Sequence, residues 1–159
     1  MNRIAFGAAR PEGWLRDSIQ KDMDGCIGHL DELAPDILRE HDIYGRDRLA
    51  PDTKPFVLGR IPDEDPEVQV VESQFMWWNS ESQSNWRDGY VRASLLLRDE
   101  SLLKKTKDYV EHILRTQEED GYLGIYSPEL RYRHTTENGE LWAQSTLFRV
   151  LLGYYEATG

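Results

Sequence analysis

Three carboxylates stand in short motifs where a substrate could meet them: Asp88 in N-W-R-D-G-Y, Asp120 in Q-E-E-D-G-Y-L-G and Glu140 in E-L-W. Cleavage of a glycosidic bond needs two carboxyl groups a few ångströms apart, one of them holding its proton at neutral pH. Each acid also has a plain structural use. Asp88 and Glu140 suit the positive end of a helix, and Asp120 suits a turn before glycine. These uses outweigh a direct catalytic role, so no residue is assigned as catalytic. Contact with a sugar is the reading kept for Asp120 and Glu140.

The aromatic residues point the same way. Trp77, Trp78, Trp86 and Trp142 could stack on the apolar face of a sugar ring, and Trp77, Trp78 and Trp86 fall within ten residues of one another. The alternative is core packing where helices converge, which Trp86 and Trp142 invite because they sit at equivalent places in a weak repeat. Tyr122 and Asn85 join the substrate-binding set as neighbours of these residues. Arg87 could bind a sugar hydroxyl or a carboxylate, or form a surface ion pair.

Other reactive side chains are poorly placed for chemistry. Cys26 falls on an apolar stripe with no base beside it and reads as a buried free thiol. His29 lies close to Asp31 and Glu32 in sequence and reads as structural. His41 and His134 lie in loops without metal-ligand spacing, and no metal site is expected.

Composition narrows the partners. The chain has 159 residues, a net charge of −10 and a pI near 4.8, which disfavours nucleic acid and anionic membrane surfaces. No run of ~18 apolar residues is present. The first residues do not read as a signal peptide, so a cytoplasmic location is slightly favoured over export. One cysteine excludes an internal disulfide and a cysteine-rich zinc site.

The elements that must hold these residues are helices. Leu15, Ile19, Met23, Cys26, Leu30 and Leu33 form a stripe at spacings of three and four, predicting a helix over about residues 14–34 that ends or kinks at Pro35. Gly25 and Gly28 in its interior imply close backbone packing. Residues 40–75, with four prolines and the acidic run at 63–67, read as an extended excursion over the surface. A second helix is expected to open near Ser84 as N-cap and to place Asp88 in its first turn. A third spans 101–117, with Leu102, Leu103, Thr106, Tyr109, Val110, Ile113 and Leu114 on one face, and a fourth spans about 139–157. No strand-period pattern is present, so the fold is all-α. Laying Trp86 on Trp142 also aligns Leu95-Leu96 with Leu151-Leu152 at a period of 56 residues. That is about one helical hairpin with its loops. In antiparallel arrays every second loop shares a face, so residues 76–85 and 118–139 should form one rim, with Tyr122 and at least one tryptophan partly exposed.

Several ordered motifs carry a resemblance: P-E-G-W-L-R-D at 11–17, G-x-x-G-H-L-D-E at 25–32, N-W-R-D-G-Y at 85–90, Q-E-E-D-G-Y-L-G at 117–124, E-L-W at 140–142 and Y-Y-E-A-T-G at 154–159. The set resembles the N-terminal part of the β-L-arabinofuranosidase group of glycoside hydrolases (glycoside hydrolase family 127 and relatives) over most of the chain outside the 40–75 segment. The resemblance implies an (α/α)6 barrel, an α/α toroid, of which residues 1–159 would be an N-terminal fragment holding about two of six hairpins. It also implies a carbohydrate substrate such as an arabinofuranoside, with the remainder of the toroid as partner. The family's cysteine nucleophile, zinc cluster and acid/base glutamate have no counterparts here. Zinc is thus implied for a full-length enzyme, no cofactor for this fragment, and no hydrolysis by the fragment alone. Many members carry a sugar-binding histidine before the glutamate matching Glu140, where this sequence has Gly139.

Two other functions compete. One is a complete helical-repeat module whose aromatic rim binds a peptide or protein. The other is a different toroid, unsaturated-uronide-hydrolase-like or terpene-cyclase-like, that shares the D-G-Y loop. The last helix is apolar on more than one face, unlike a polar capping helix, which favours continuation of the toroid.

Overall fold

The structure is a computed structural model, and it describes residues 8–39, 41–53, 77–133 and 139–159. The acidic run at 63–67 and His134 lie outside the described residues. Among the described residues six helices follow in order: α1 (Gly13–Asp24), α2 (Cys26–Leu33), α3 (Pro35–Leu38), α4 (Trp78–Leu97), α5 (Glu100–Arg115) and α6 (Glu140–Thr158). Among the described residues there is no strand, only an isolated bridge between Leu49 and Tyr126. The fold is all-α, as the periodicity requires.

The helix expected over 14–34 is instead two helices that meet at Gly25. Gly28 explains the break. A Cβ there would overlap the backbone of Met23, so the chain folds back more tightly than any other residue would allow. The stripe is consequently only partly covered. Met23 is buried, whereas Cys26, Leu15 and Leu33 are exposed, so the buried thiol expected at Cys26 is an exposed one.

Helix α5 forms where its amphipathic pattern places it. Asp99 caps it, accepting from the backbone N–H groups of Ser101 and Leu102, and Thr106, Tyr109, Val110 and Ile113 face inward. Its hairpin with α4 is antiparallel. Ser94 meets Thr106 at 2.6 Å, while Arg87, earlier on α4, lies against Tyr109, later on α5. The turn is closed by Arg98 in the left-handed region, φ 58°.

Helix α4 begins at Trp78, six residues before the expected N-cap, so Ser84 lies inside the helix and Asp88 in its third turn. Helices α4 and α6 run parallel. Trp77 abuts Gly139 at one end, Asp88 meets Arg149 in the middle, and Arg92 meets Arg149 and Gly153 beyond it.

A strap over residues 41–53 closes the core, and there the expected surface excursion is overturned. Ile43, Tyr44 and Leu49 are all buried in the main cluster with Val91, Ile113 and Leu147. Tyr44 wedges between α4 and α6. Its hydroxyl meets the Ser84 hydroxyl at 2.6 Å and donates to the Ala143 carbonyl at 3.1 Å. A phenol can serve two helices at once only because its ring fills an apolar gap while its oxygen reaches backbone polar groups.

Candidate functional site

The D-G-Y motif is a turn that drives its tyrosine inward. Asp120 accepts from the Tyr122 backbone N–H at 2.9 Å, Gly121 adopts φ 89°, and the Glu118 N–H donates to the Tyr122 carbonyl at 3.0 Å. This is a side chain closing its own backbone turn, with glycine taking the conformation other residues avoid. The Arg131 guanidinium lies 3.6 Å from the Tyr122 ring centroid, and both Arg131 and Arg48 pair with Glu118. Arg48 also donates to the Thr116 and Gly124 carbonyls at 2.6 and 3.0 Å. The loop after α5 is thereby fastened to the strap.

Beneath this turn lies a buried phenol–carboxylate cluster. The Tyr122 hydroxyl donates to Glu140 at 3.0 Å, and the Tyr132 backbone N–H donates to the other carboxylate oxygen at 2.8 Å. The Tyr122 hydroxyl accepts from the Tyr126 N–H, and the Tyr126 hydroxyl accepts from the Gly139 N–H, each at 3.2 Å. Burial raises the pKa of Tyr122 well above the ordinary phenol value and pushes that of Tyr126 up to about 12. Both phenols keep their protons near neutral pH, so neither supplies a base. Glu140 opens α6 and is only 1% exposed. The partial exposure expected of Tyr122 is overturned, since it too is buried, with its polar atom consumed by Glu140.

Outside this cluster, the solvent-facing sides of α4 and α6 adjoin. On α4, Ser82, Asn85 and Gly89 are exposed along one stripe that begins at the half-buried Trp78. On α6, Trp142 is 49% exposed, and Ser145 and Arg149 follow it on the exposed side. Asp88 ties the two stripes together, accepting from Arg92 at 2.7 Å and from Arg149 at 2.5 Å. Burial would raise the pKa of its carboxyl, but the two arginine hydrogen bonds outweigh that and hold it below the usual value. Asp88 is therefore a fixed anion rather than a proton donor.

The nominated residues consequently divide into three groups. Trp78, Asn85 and Trp142 lie on the α4–α6 strip, with exposed Asp120 at the nearby turn and Trp77 against Gly139. Tyr122 and Glu140 are enclosed behind it. Trp86 and Arg87 are buried on other faces of α4. The Trp86 indole donates to the Ile27 carbonyl at 2.7 Å, so it packs α2 against α4. Trp86 and Trp142, aligned by the repeat, thus occupy opposite environments. The surface ion pair considered for Arg87 is replaced by contacts with the Trp86 and Tyr109 rings.

Sequence reasoning missed Tyr44, Gln83, Arg48 and Arg131. The two arginines had a usable signal in the acidic, tyrosine-rich loop, which needs cations to hold it. Among the described residues, no group of His, Cys, Asp or Glu is placed to hold a metal ion, and no helix is long and apolar enough to cross a membrane. No protein-family model, curated protein or solved structure gives a significant match to the chain.

Proposed function

We propose that the chain is the sugar-binding part of a glycoside hydrolase built as an α/α toroid, and that the α4–α6 strip contacts the glycan. The observation that carries this reading is the parallel alignment of α4 and α6, with α5 returning antiparallel between them in sequence. A ring of hairpins repeats that arrangement, and its inner helices present one continuous face to the lumen. Here that face offers Trp78, Asn85, Ser145 and Trp142, a mixture of flat aromatic surface and small polar groups. Sugars are recognised by such a mixture, with ring C–H groups on the indole and hydroxyls on the polar side chains.

The role assigned to the strip is binding rather than bond cleavage. Asp88 is neutralised by two arginines and Glu140 is enclosed by Tyr122 and Tyr132, so neither meets the demands of an acid/base pair. The apolar edge of α6, formed by Leu141, Phe148, Leu152 and Tyr155, is the surface on which a further hairpin would sit. The same edge supports a second reading, a helical module that binds another protein's helix.

Tryptophan fluorescence of the purified chain, titrated with arabinofuranosides and other neutral glycosides, tests the proposal. The expected result is a saturable change that Trp142→Ala abolishes in a chain that still folds. No saturable response to any glycoside at tens of millimolar, or a response that survives Trp142→Ala together with Asn85→Ala, overturns it.

A further inference from the structure

His41 stands at the start of the strap, half-buried against α4. The side-chain nitrogen of Asn79 lies 2.8 Å from its Nδ1, and which of the two donates is fixed by the residue behind Asn79. The Gln83 amide nitrogen lies 2.6 Å from the Ile37 carbonyl and 2.8 Å from the His41 carbonyl. A carbonyl only accepts, so the end of Gln83 that meets both must be its NH2 group. The same nitrogen lies 2.9 Å from the Asn79 side-chain oxygen, which orients the Asn79 amide in turn. Its NH2 group therefore points at His41, where Nδ1 must accept. The ring proton sits on Nε2.

No reorientation of this chain of amides makes room for a second ring proton. Turning Asn79 over would set its NH2 group against that of Gln83. Turning Gln83 over would set its oxygen against two carbonyl oxygens. Asn79 and Gln83 are 2% and 5% exposed, so either mismatch would be buried and costly. The next residue of the strap behaves oppositely. Asp42 meets His112 of α5 at 3.1 Å, an ion pair only while His112 carries its proton. Acid thus weakens the side-chain hold of the strap on α4 and strengthens its hold on α5.

We propose that the start of the strap is a proton-operated latch: neutral His41 fastens it to α4 through Asn79, and a proton on Nδ1 breaks that hold while Asp42 keeps the strap on α5. The surrounding charges agree with this direction. Burial lowers the pKa of His41 below its ordinary 6.5, Asp47 and Asp42 on the strap oppose the change, and Arg46 adds to it. Arg39, Arg87 and Lys105 line the same cavity as His41 and add positive charge. The two further acids there are already paired, Asp31 with Lys105 and Asp108 with Lys104, each at 2.7 Å. Tyr109, on the same wall, keeps its proton. A folded pKa below the unfolded one means that the latch contributes its full stability above pH 6.5. That stability is lost as pH falls from 6.5 through the lower folded value. The latch does not rest on the glycan reading.

Nitrogen-15 NMR of the histidine rings in the 159-residue chain, with amide hydrogen exchange between about pH 7.5 and pH 5, tests it. Expected is His41 as the Nε2–H tautomer at neutral pH, with a titration midpoint below 6.5. Exchange protection of the Gly45 and Asp47 amides, both bonded to the Asp42 carbonyl, should fall as His41 gains its proton. The fall should be about tenfold for each unit by which the midpoint lies below 6.5, with Val110 and Ile113 in α5 unchanged. Asn79→Asp turns the donor facing Nδ1 into an acceptor and should raise the His41 midpoint by at least ~1 unit. His41→Asn places an amide oxygen near the position of Nδ1 but cannot titrate, so it should hold the protection constant over the same range. It decides the matter if Asn79→Asp does not fold. An Nδ1–H tautomer at neutral pH, a midpoint at or above 6.5, or an unmoved midpoint in folded Asn79→Asp would each overturn the proposal. So would Gly45 and Asp47 protection that ignores the titration of His41, or an acid-dependent loss of protection that persists in His41→Asn.

Discussion

The Tyr122 hydroxyl donates a 3.0 Å hydrogen bond to the Glu140 carboxylate, joining the loop after α5 to the first residue of α6. Both residues are buried, so the bond closes the core rather than serving solvent. Tyr122→Phe leaves a buried charged oxygen short of one donor. It is expected to cost about 1–3 kcal/mol, and Tyr122→Ala about 3–5 kcal/mol. Urea unfolding of both variants checks the order. Equal stability of Tyr122→Phe and the parent chain would show that water replaces the phenol at no cost.

Gly139 and Trp77 form a second lock between helix starts. A Cβ at position 139 would overlap the Trp77 ring, so the indole occupies the space that a histidine would need there. Gly139→His should destabilise the chain by about 1–3 kcal/mol through overpacking. Trp77→Ala should be less harmful in the Gly139→His background than in the parent chain. A double-mutant cycle measures this coupling, and additive losses would show that the two positions do not compete for space.

Asp88 makes a pH-dependent contribution with a definite sign. Its folded pKa is lowered because the Arg149 and Arg92 hydrogen bonds outweigh burial. The stabilisation is present above its ordinary value of 3.8 and is lost as pH falls through the lower folded value. Asp88→Asn should reduce stability at pH 7 and flatten the decline on the acid side. Chemical unfolding between pH 7 and pH 3 checks it, and an unchanged acid slope would mean that other carboxylates set the limit.

How much of this was legible depended on whether burial was apolar. Helix α5 was readable because its inward face is Tyr109, Val110 and Ile113 and its cap is Asp99. Helix α6 has no side-chain cap and was readable from apolar positions such as Leu147 and Val150. The first half of α4 was not, because it buries Asn79, Ser80, Gln83 and Ser84. Those polar groups are satisfied by residues distant in sequence. Gln83 donates to the Ile37 and His41 carbonyls at 2.6 and 2.8 Å, and Ser84 meets Tyr44. A polar face buried by long-range hydrogen bonds leaves no hydrophobic period to detect. The strap over 41–53 was illegible for a related reason. Its three core residues, Ile43, Tyr44 and Leu49, follow no repeat. At the site, the rim grouping of Trp77 with the 118–139 loop was visible in the alternation of hairpins. The inward turn of Tyr122 was not, since it follows from Asp120 and Gly121 acting together.

The outer edge of α6 should be adhesive. Leu141, Phe148, Leu152 and Tyr155 are 47–66% exposed along one side of the helix. Contiguous apolar patches of a few hundred Å² mark interfaces or aggregation risk. The chain is expected to bind a hydrophobic dye and to self-associate with rising concentration. Phe148→Lys with Leu152→Lys should suppress both while changing unfolding free energy by less than about 0.5 kcal/mol, as for other surface changes. Light scattering and dye fluorescence check this, and a dye-silent parent monomer would show that the edge is already covered.

Trp86 and Trp142 give the most direct separation of packing from recognition, because one is buried and the other is 49% exposed. Trp86 fills the junction between α2 and α4 and spends its N–H on the Ile27 carbonyl. Trp86→Ala should therefore cost about 3–5 kcal/mol and leave glycoside affinity per folded molecule unchanged. Trp142 projects from the start of α6 onto the strip, and its indole supports little of the core. Trp142→Ala should change stability by no more than about 0.5 kcal/mol and abolish the glycoside response. Thermal melts and fluorescence titrations on the same two variants read both quantities, with Trp142→Phe as a control that retains a smaller stacking surface and partial affinity. If Trp142→Ala loses stability on the scale of Trp86→Ala and keeps its glycoside affinity, the indole is packing and the strip is not where sugar binds.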